Sequence, residues 1–305
     1  MIEYFIISLA VVSFAGQFAF TKSYEKNIKQ TLTTATSLLF FTSVVGTLIY
    51  LCVAGFKIEY SNFSFIMALA FALVMVPYYI VSVKVLTLGS LAVYSLFMML
   101  GGMLLPFVYG IAFLSEEITW GKVVGTVLLT ASMLVQAIWQ NGQETQSDKK
   151  SKKQKVLFFV LCIVVFIVNG LTAVIAKAHA INEKAINEPS FMVWSCLLTV
   201  VLGGILLGVL MLKKDRKILI QEFKTTLKLK PFILITIIGA AMYTGNFLLL
   251  LAADKVPASV QFPMVSGGVI VLSALASVLA FKEKLSIIEW ISVAGACIST
   301  VLYAF

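Results

Sequence analysis

Apolar residues fall along this chain in runs rather than in stripes or alternations. Ten runs stand out, at about 2–21, 31–55, 63–84, 88–113, 119–139, 155–177, 190–212, 231–252, 257–281 and 286–305. Each is close to the roughly 20 apolar residues that cross a bilayer as a helix. A helix apolar on every side belongs in lipid or in a large core, whereas a surface helix shows one apolar stripe. The connections are short and polar. The pattern therefore predicts an all-α integral membrane protein with ten transmembrane helices.

The pattern also repeats. Gly101-Gly102 and Gly267-Gly268 stand 166 positions apart, as do Glu117 and Glu283. Thr119 and Ser286, Gly125 and Ser292, and Ser132 and Ser299 stand 167 apart. A self-match near half the chain length reads as a tandem duplication. Five spans per half is an odd number, so the halves enter the membrane in opposite senses, which makes two inverted five-helix repeats. The expected units are residues 1–139, a basic linker at 140–154 carrying four of the five lysines between Lys149 and Lys155, and residues 155–305. A second polar stretch, Lys213 to Lys230, has an amphipathic turn around Ile218 to Phe223 and is expected at the membrane surface.

Composition agrees. The chain is 60% hydrophobic and 12% charged, with mean hydropathy +1.02, against about 25% charged residues in a soluble domain. The net charge of +9 does not mark a nucleic-acid partner, because the cations sit in connections between apolar runs. Eighteen of the 23 Lys and Arg fall in odd-numbered connections and five (Lys57, Lys122, Lys177, Lys184, Lys255) in even ones. The positive-inside rule places the odd connections in the cytoplasm and both termini outside. The expected location is the plasma (cytoplasmic) membrane, multi-pass. The four cysteines lack metal or CxxC spacing and are expected as free thiols.

Three prolines, Pro77, Pro106 and Pro263, lie inside runs, where each removes a helix hydrogen bond and kinks the axis. Freed carbonyls at membrane depth need a partner or a water-lined cavity. Amides are costly in hydrocarbon unless bonded. Gln17, Asn169, Asn246 and Gln261 are thus candidates to line a central cavity, or else glue between helices. Tyr78, Tyr79 and Tyr243 lie mid-run and join them as candidate substrate-binding residues. Trp194 is expected as an interfacial anchor, His179 and Glu117 as solvated groups at span ends. No run carries a deep acid or histidine, and no GxSxG or HExxH is present. The expectation is a non-enzyme without cofactor or metal.

The chain resembles the drug/metabolite transporter superfamily, in particular its EamA-like branch. The likeness rests on A-D-K-V-P-A-S (Ala253 to Ser259), F-K-E-K-L-S (Phe281 to Ser286), their first-half counterparts L-G-S-L-A-V-Y-S and L-S-E-E-I-T-W-G, and the opening F-A-G-Q-F-A-F-T-K (Phe14 to Lys22). It covers essentially the whole chain. Phe14 and Gln17 stand where that family usually has tryptophan and asparagine. The resemblance implies ten helices as two inverted repeats, a small-molecule substrate, and termini in the cytoplasm, opposite to the lysine count.

The functional expectation is a secondary carrier or facilitator of a small neutral or zwitterionic organic metabolite, since no buried carboxylate is available to exchange protons. The alternatives are a non-catalytic membrane subunit or lipid-carrier flippase, and a drug or cation exporter with an aromatic cage. The expected partners are the substrate and the lipid bilayer, as monomer or homodimer.

Overall fold

The computed structural model describes residues 2–29, 31–88, 91–144, 152–212, 216–253, 255–279 and 285–303. These form eleven helices and no strand: α1 (Ile2–Asn27), α2 (Leu32–Val53), α3 (Asn62–Leu88), α4 (Leu91–Phe113), α5 (Trp120–Glu144), α6 (Lys152–Ala180), α7 (Glu188–Met211), α8 (Arg216–Thr226), α9 (Leu229–Ala253), α10 (Ala258–Leu279) and α11 (Ile287–Leu302). The ten apolar runs correspond to α1–α7 and α9–α11. The short α8 is the amphipathic stretch between the seventh and eighth runs.

Eight of these helices are long and apolar enough to cross a membrane, and the protein is a multi-pass membrane protein in that sense. The apolar stretches of α5 and α11, Trp120–Val135 and Ile287–Leu302, are shorter. At 1.5 Å per residue, 16 residues span about 24 Å, less than a typical hydrocarbon core. The two pack against each other. Ser299 Oγ donates to the Gly125 carbonyl at 2.6 Å, and the Thr126 and Tyr303 hydroxyls meet at 2.8 Å.

Two boundaries differ from expectation. Helices α5 and α6 run into the basic linker, to Glu144 and from Lys152, because Gln, Glu and Lys are good helix formers and no proline stops them. The middle of the linker lies outside the described residues. Pro77, Pro106 and Pro263 do lie inside α3, α4 and α10. Pro189 opens α7 behind the Asn187 cap.

The neighbours in the bundle are α1 with α9 and α10, α6 with α3 and α4, α2 with α7 and α9, α3 with α7, α4 with α10, and α5 with α11. Small residues set the closest crossings. A Cβ on Gly101 would overlap the backbone carbonyl of Phe166, and one on Gly170 would lie 2.6 Å from the Gly101 oxygen. Backbone cannot yield as a side-chain tip can, so α4 and α6 touch only because both positions are glycine. The Gly204/Gly208 pair is not such a crossing: Gly208 has nothing within 4 Å.

One end of the bundle gathers residues 53–62, 113–120, 180–188 and 255–258. There Trp194 Nε1 donates to the Glu59 carbonyl, the Asn187 N–H to the Glu59 carboxylate, and the Glu59 N–H to Ser190 Oγ, each at 3.0 Å. His179 corrects the sequence reading. It belongs to α6, is 0% exposed, stacks on Phe191 at 3.8 Å between ring centroids, and pairs through Nε2 with Ser64 Oγ at 2.9 Å. The helix simply continues past the expected span end, to Ala180. Lys122 is likewise buried, donating to the Glu117 carbonyl at 2.6 Å.

Candidate functional site

A cavity of about 260 Å³ opens between α1, α3 and α4 on one side and α6, α7, α9 and α10 on the other. Drug-sized pockets usually run from roughly 300 Å³ upward, so this one fits a small metabolite. Much of its wall is aromatic and thioether: Phe14, Phe18, Phe71, Phe262, Met75 and Met242 are representative. Polar groups are few and spread around it.

Six of the seven sequence candidates lie on this wall: Gln17, Tyr78, Tyr79, Asn169, Asn246 and Gln261. Their bonding differs. No hydrogen bond ties the Gln17 amide to a neighbour among the described residues. Asn246 Nδ2 donates at 2.9 Å to the Met242 carbonyl of its own helix, which holds the amide in place and leaves its oxygen for another donor. Asn169 Nδ2 donates at 2.7 Å to the Met98 carbonyl across the α4–α6 crossing, so it is helix glue as well as wall. Gln261 is 1% exposed; its Nε2 donates to the Leu249 carbonyl at 2.6 Å and its Oε1 has no protein partner. The Tyr78 and Tyr79 rings meet edge to face at 5.5 Å. Tyr78 is steadied by Tyr94, whose hydroxyl lies 3.2 Å away and donates to Ser82 at 2.9 Å.

Tyr243 is the seventh, and it faces elsewhere. Its hydroxyl pairs with Ser43 at 3.0 Å, its carbonyl accepts from the Tyr50 hydroxyl at 2.5 Å, and its ring lies against Gly46. It is packing between α9 and α2. Successive residues on a helix point about 100° apart, so Met242 and Asn246 reach the cavity while Tyr243 turns away.

Lys177 is the wall residue that sequence reasoning missed. Placed in a connection by the apolar-run count, it sits within α6, is 4% exposed, and lines the cavity. Its ammonium donates to the Ala253 carbonyl and, at 2.8 Å, to that of Val256. A buried lysine needs such partners, and the C-terminal end of α9 is a favourable place for a cation. A signal was present: Lys22 closes the first run as Lys177 closes the sixth. With Lys122 and Lys177 buried, the exposed cations of the even connections are Lys57, Lys184 and Lys255, which sharpens the charge asymmetry. Among the described residues no group of acids, histidines and cysteines is arranged to hold a metal.

Comparison with known proteins speaks to the fold. No family model and no curated protein matches the chain. Twenty-eight chains of solved structures match. One, described only as "Crystal structure of protein", superposes with a TM-score of 0.70 at 16% identity, over 99% of this chain and 97% of that one. The two share a fold from end to end.

Proposed function

We propose that this protein is a transmembrane carrier or facilitator of a small neutral or zwitterionic organic metabolite, of the drug/metabolite transporter kind. The observation that carries the reading is the central cavity, walled by helices from both halves of the chain. In this reading α1–α7 and α9–α11 act as two inverted five-helix repeats, 1–139 and 155–305. Exchanging α1, α2, α3, α4 and α5 with α6, α7, α9, α10 and α11 maps the set of neighbours onto itself: α1 with α9 becomes α6 with α3, α1 with α10 becomes α6 with α4, and α2 with α9 becomes α7 with α3. Substrate sites at a repeat interface near mid-bilayer are the common arrangement in such folds.

The wall chemistry supports the substrate class. The described lining residues include no carboxylate, so nothing among them offers a countercharge to a permanent cation. The aromatic-cage reading needed Tyr243 beside Tyr78 and Tyr79, and Tyr243 points away. The amides of Gln17 and Asn246 instead offer donors and acceptors to polar uncharged or zwitterionic groups.

Counterflow in proteoliposomes holding this protein alone tests the reading. Preloaded candidate metabolites should accelerate entry of the same labelled compound, with flux unchanged by a protonophore. Vesicles that exchange no amino acid, sugar, nucleoside or related metabolite would overturn it, and accumulation driven by a pH gradient would overturn the uncoupled form. Reporter fusions in the odd connections decide orientation: the charge asymmetry places them in the cytoplasm.

A further inference from the structure

The connection between α9 and α10 is gripped from two sides. Lys177 takes the carbonyls of Ala253 and Val256. The Glu116 carboxylate accepts from the N–H groups of Ala258 at 2.7 Å and Ser259 at 2.8 Å. Together they hold the last carbonyl of α9 and the first two amides of α10, with the cation at a helix C-terminus and the anion at an N-terminus, as each end prefers. Pro257 stands between, with no N–H to satisfy.

Glu116 is aimed by an unusual backbone. Ser115 has φ +54°, one of two non-glycine residues with positive φ among the described residues. This turn folds the chain back so that the Glu116 N–H reaches the Gly110 carbonyl at 3.1 Å. A Cβ on Gly110 would lie 2.6 Å from the Glu116 carboxylate, so the carboxylate also requires a glycine beneath it. Backbone held against its preference to place one charged group is the kind of local cost that persists at functional sites.

The gripped state has an opposing cost. Just past the grip, Ser259 is 0% exposed and Gln261 1% exposed. Ser259 Oγ and Gln261 Oε1 are buried with no protein partner. Each would regain a hydrogen bond if water reached it. Four charge-assisted bonds therefore hold closed a stretch in which two buried oxygens stay unsatisfied.

We propose that Glu116 and Lys177 are the positioning residues of a gate: they hold the α9–α10 connection over this end of the cavity, and their release opens Gln261 to that side. The purpose of such a gate rests on the transporter reading, whereas its mechanics can be read without any flux.

The test uses the full chain with its four free cysteines, Cys52, Cys162, Cys196 and Cys297, replaced by serine or alanine, and a reporter Ser259→Cys. A membrane-impermeant maleimide is applied to each side of oriented vesicles. Glu116→Gln should raise the labelling rate about fivefold or more, the low end of coupling between sites. The rise should come from one side only and be present at temperatures well below the variant's Tm. Lys177→Met should do the same, and Lys177→Arg, which keeps the cation, should stay near the parent rate. Should Lys177→Met not fold, Glu116→Gln and Lys177→Arg decide alone. Unchanged labelling, a rise from both sides, or a rise seen only as the variant nears its Tm overturns the gate. If labelling responds but no metabolite exchanges, the gate stands and the transporter reading falls; flux with unresponsive labelling sinks the gate alone.

Discussion

The two ends of the bundle are fastened differently. At the end that gathers residues 53–62, 113–120, 180–188 and 255–258, the two halves are joined by Glu59, Ser64, Glu116 and His179, and the buried Lys177 ties α6 to the end of α9 and to Val256. At the other end the fastening among the described residues is lighter. Thr31 Oγ1 donates to the Glu222 carboxylate at 2.9 Å, and Phe223 of α8 stacks on Phe41 of α2 at 6.0 Å. The contrast teaches where each end keeps its charge. The cations of the lighter end whose surroundings are described, Lys217 and Lys224 among them, are exposed, as the positive-inside rule expects of a cytoplasmic face. Glu59, Glu116, Lys122 and Lys177 of the tied end are instead spent on protein carbonyls and amides, and they serve closure.

The largest expected effect breaks the tied end. His179→Ala removes a fully buried ring stacked on Phe191 and leaves Ser64 Oγ short of a partner. A buried aromatic-to-alanine change costs roughly 3–5 kcal/mol, and about 3 kcal/mol is expected here. Thermal unfolding in detergent checks it. A Tm close to the parent's would mean that this end is not tightly packed.

Next come Gln17→Ala and Asn246→Ala, which touch neither end. Flux should drop about tenfold, the equivalent of one lost hydrogen bond of roughly 1.4 kcal/mol at the rate-setting step, with Tm unmoved. A fall in Tm instead, with flux surviving, would make these amides helix glue like Asn169.

Much of this was legible beforehand. The ten apolar runs do mark ten helices, eight of them long enough to cross a membrane, because lipid imposes length and uniform apolarity, and both are written locally. The wall amides are visible because an amide in an apolar run needs a reason. Tyr243 shows the limit: a mid-run position says how deep a side chain sits, not which way it turns, and direction is set by Ser43, Tyr50 and Gly46 nearly two hundred positions away. Lys177 and His179 were hidden for a related reason. Hydropathy ends a span at its first charge, while the helix continues to Ala180 as long as the charge finds carbonyls to hold. Glu116 was hidden because nothing local shows that a loop carboxylate will meet Ala258 and Ser259 across the bundle.

Tyr243→Phe is smaller and sharpens the placement. The change deletes the hydroxyl that meets Ser43 and keeps the ring against Gly46. Interhelical hydrogen bonds in membranes average about 0.6 kcal/mol, so a slight fall in Tm is expected with counterflow unaltered. A large loss of flux at parental Tm would return Tyr243 to the substrate site.

The smallest expected effect falls at the lighter end, and it tests the contrast most directly. Glu222→Gln keeps the shape of the side chain and an oxygen that can still accept from Thr31. What it removes is a charge on a half-buried group of a helix that also carries the exposed Arg216, Lys217 and Lys224. Exposed ion pairs contribute roughly 0–1 kcal/mol and are screened by salt. The stability change should therefore be a few tenths of a kcal/mol, vanishing at high ionic strength. Glu116→Gln also keeps one oxygen, yet it must replace a carboxylate that accepts two N–H bonds at a helix terminus, where hydrogen bonds to charge are worth about twice neutral ones. If Glu222→Gln and Glu116→Gln shift labelling of Ser259→Cys equally, the two ends are fastened alike. If only Glu116→Gln does, the closure resides at the tied end.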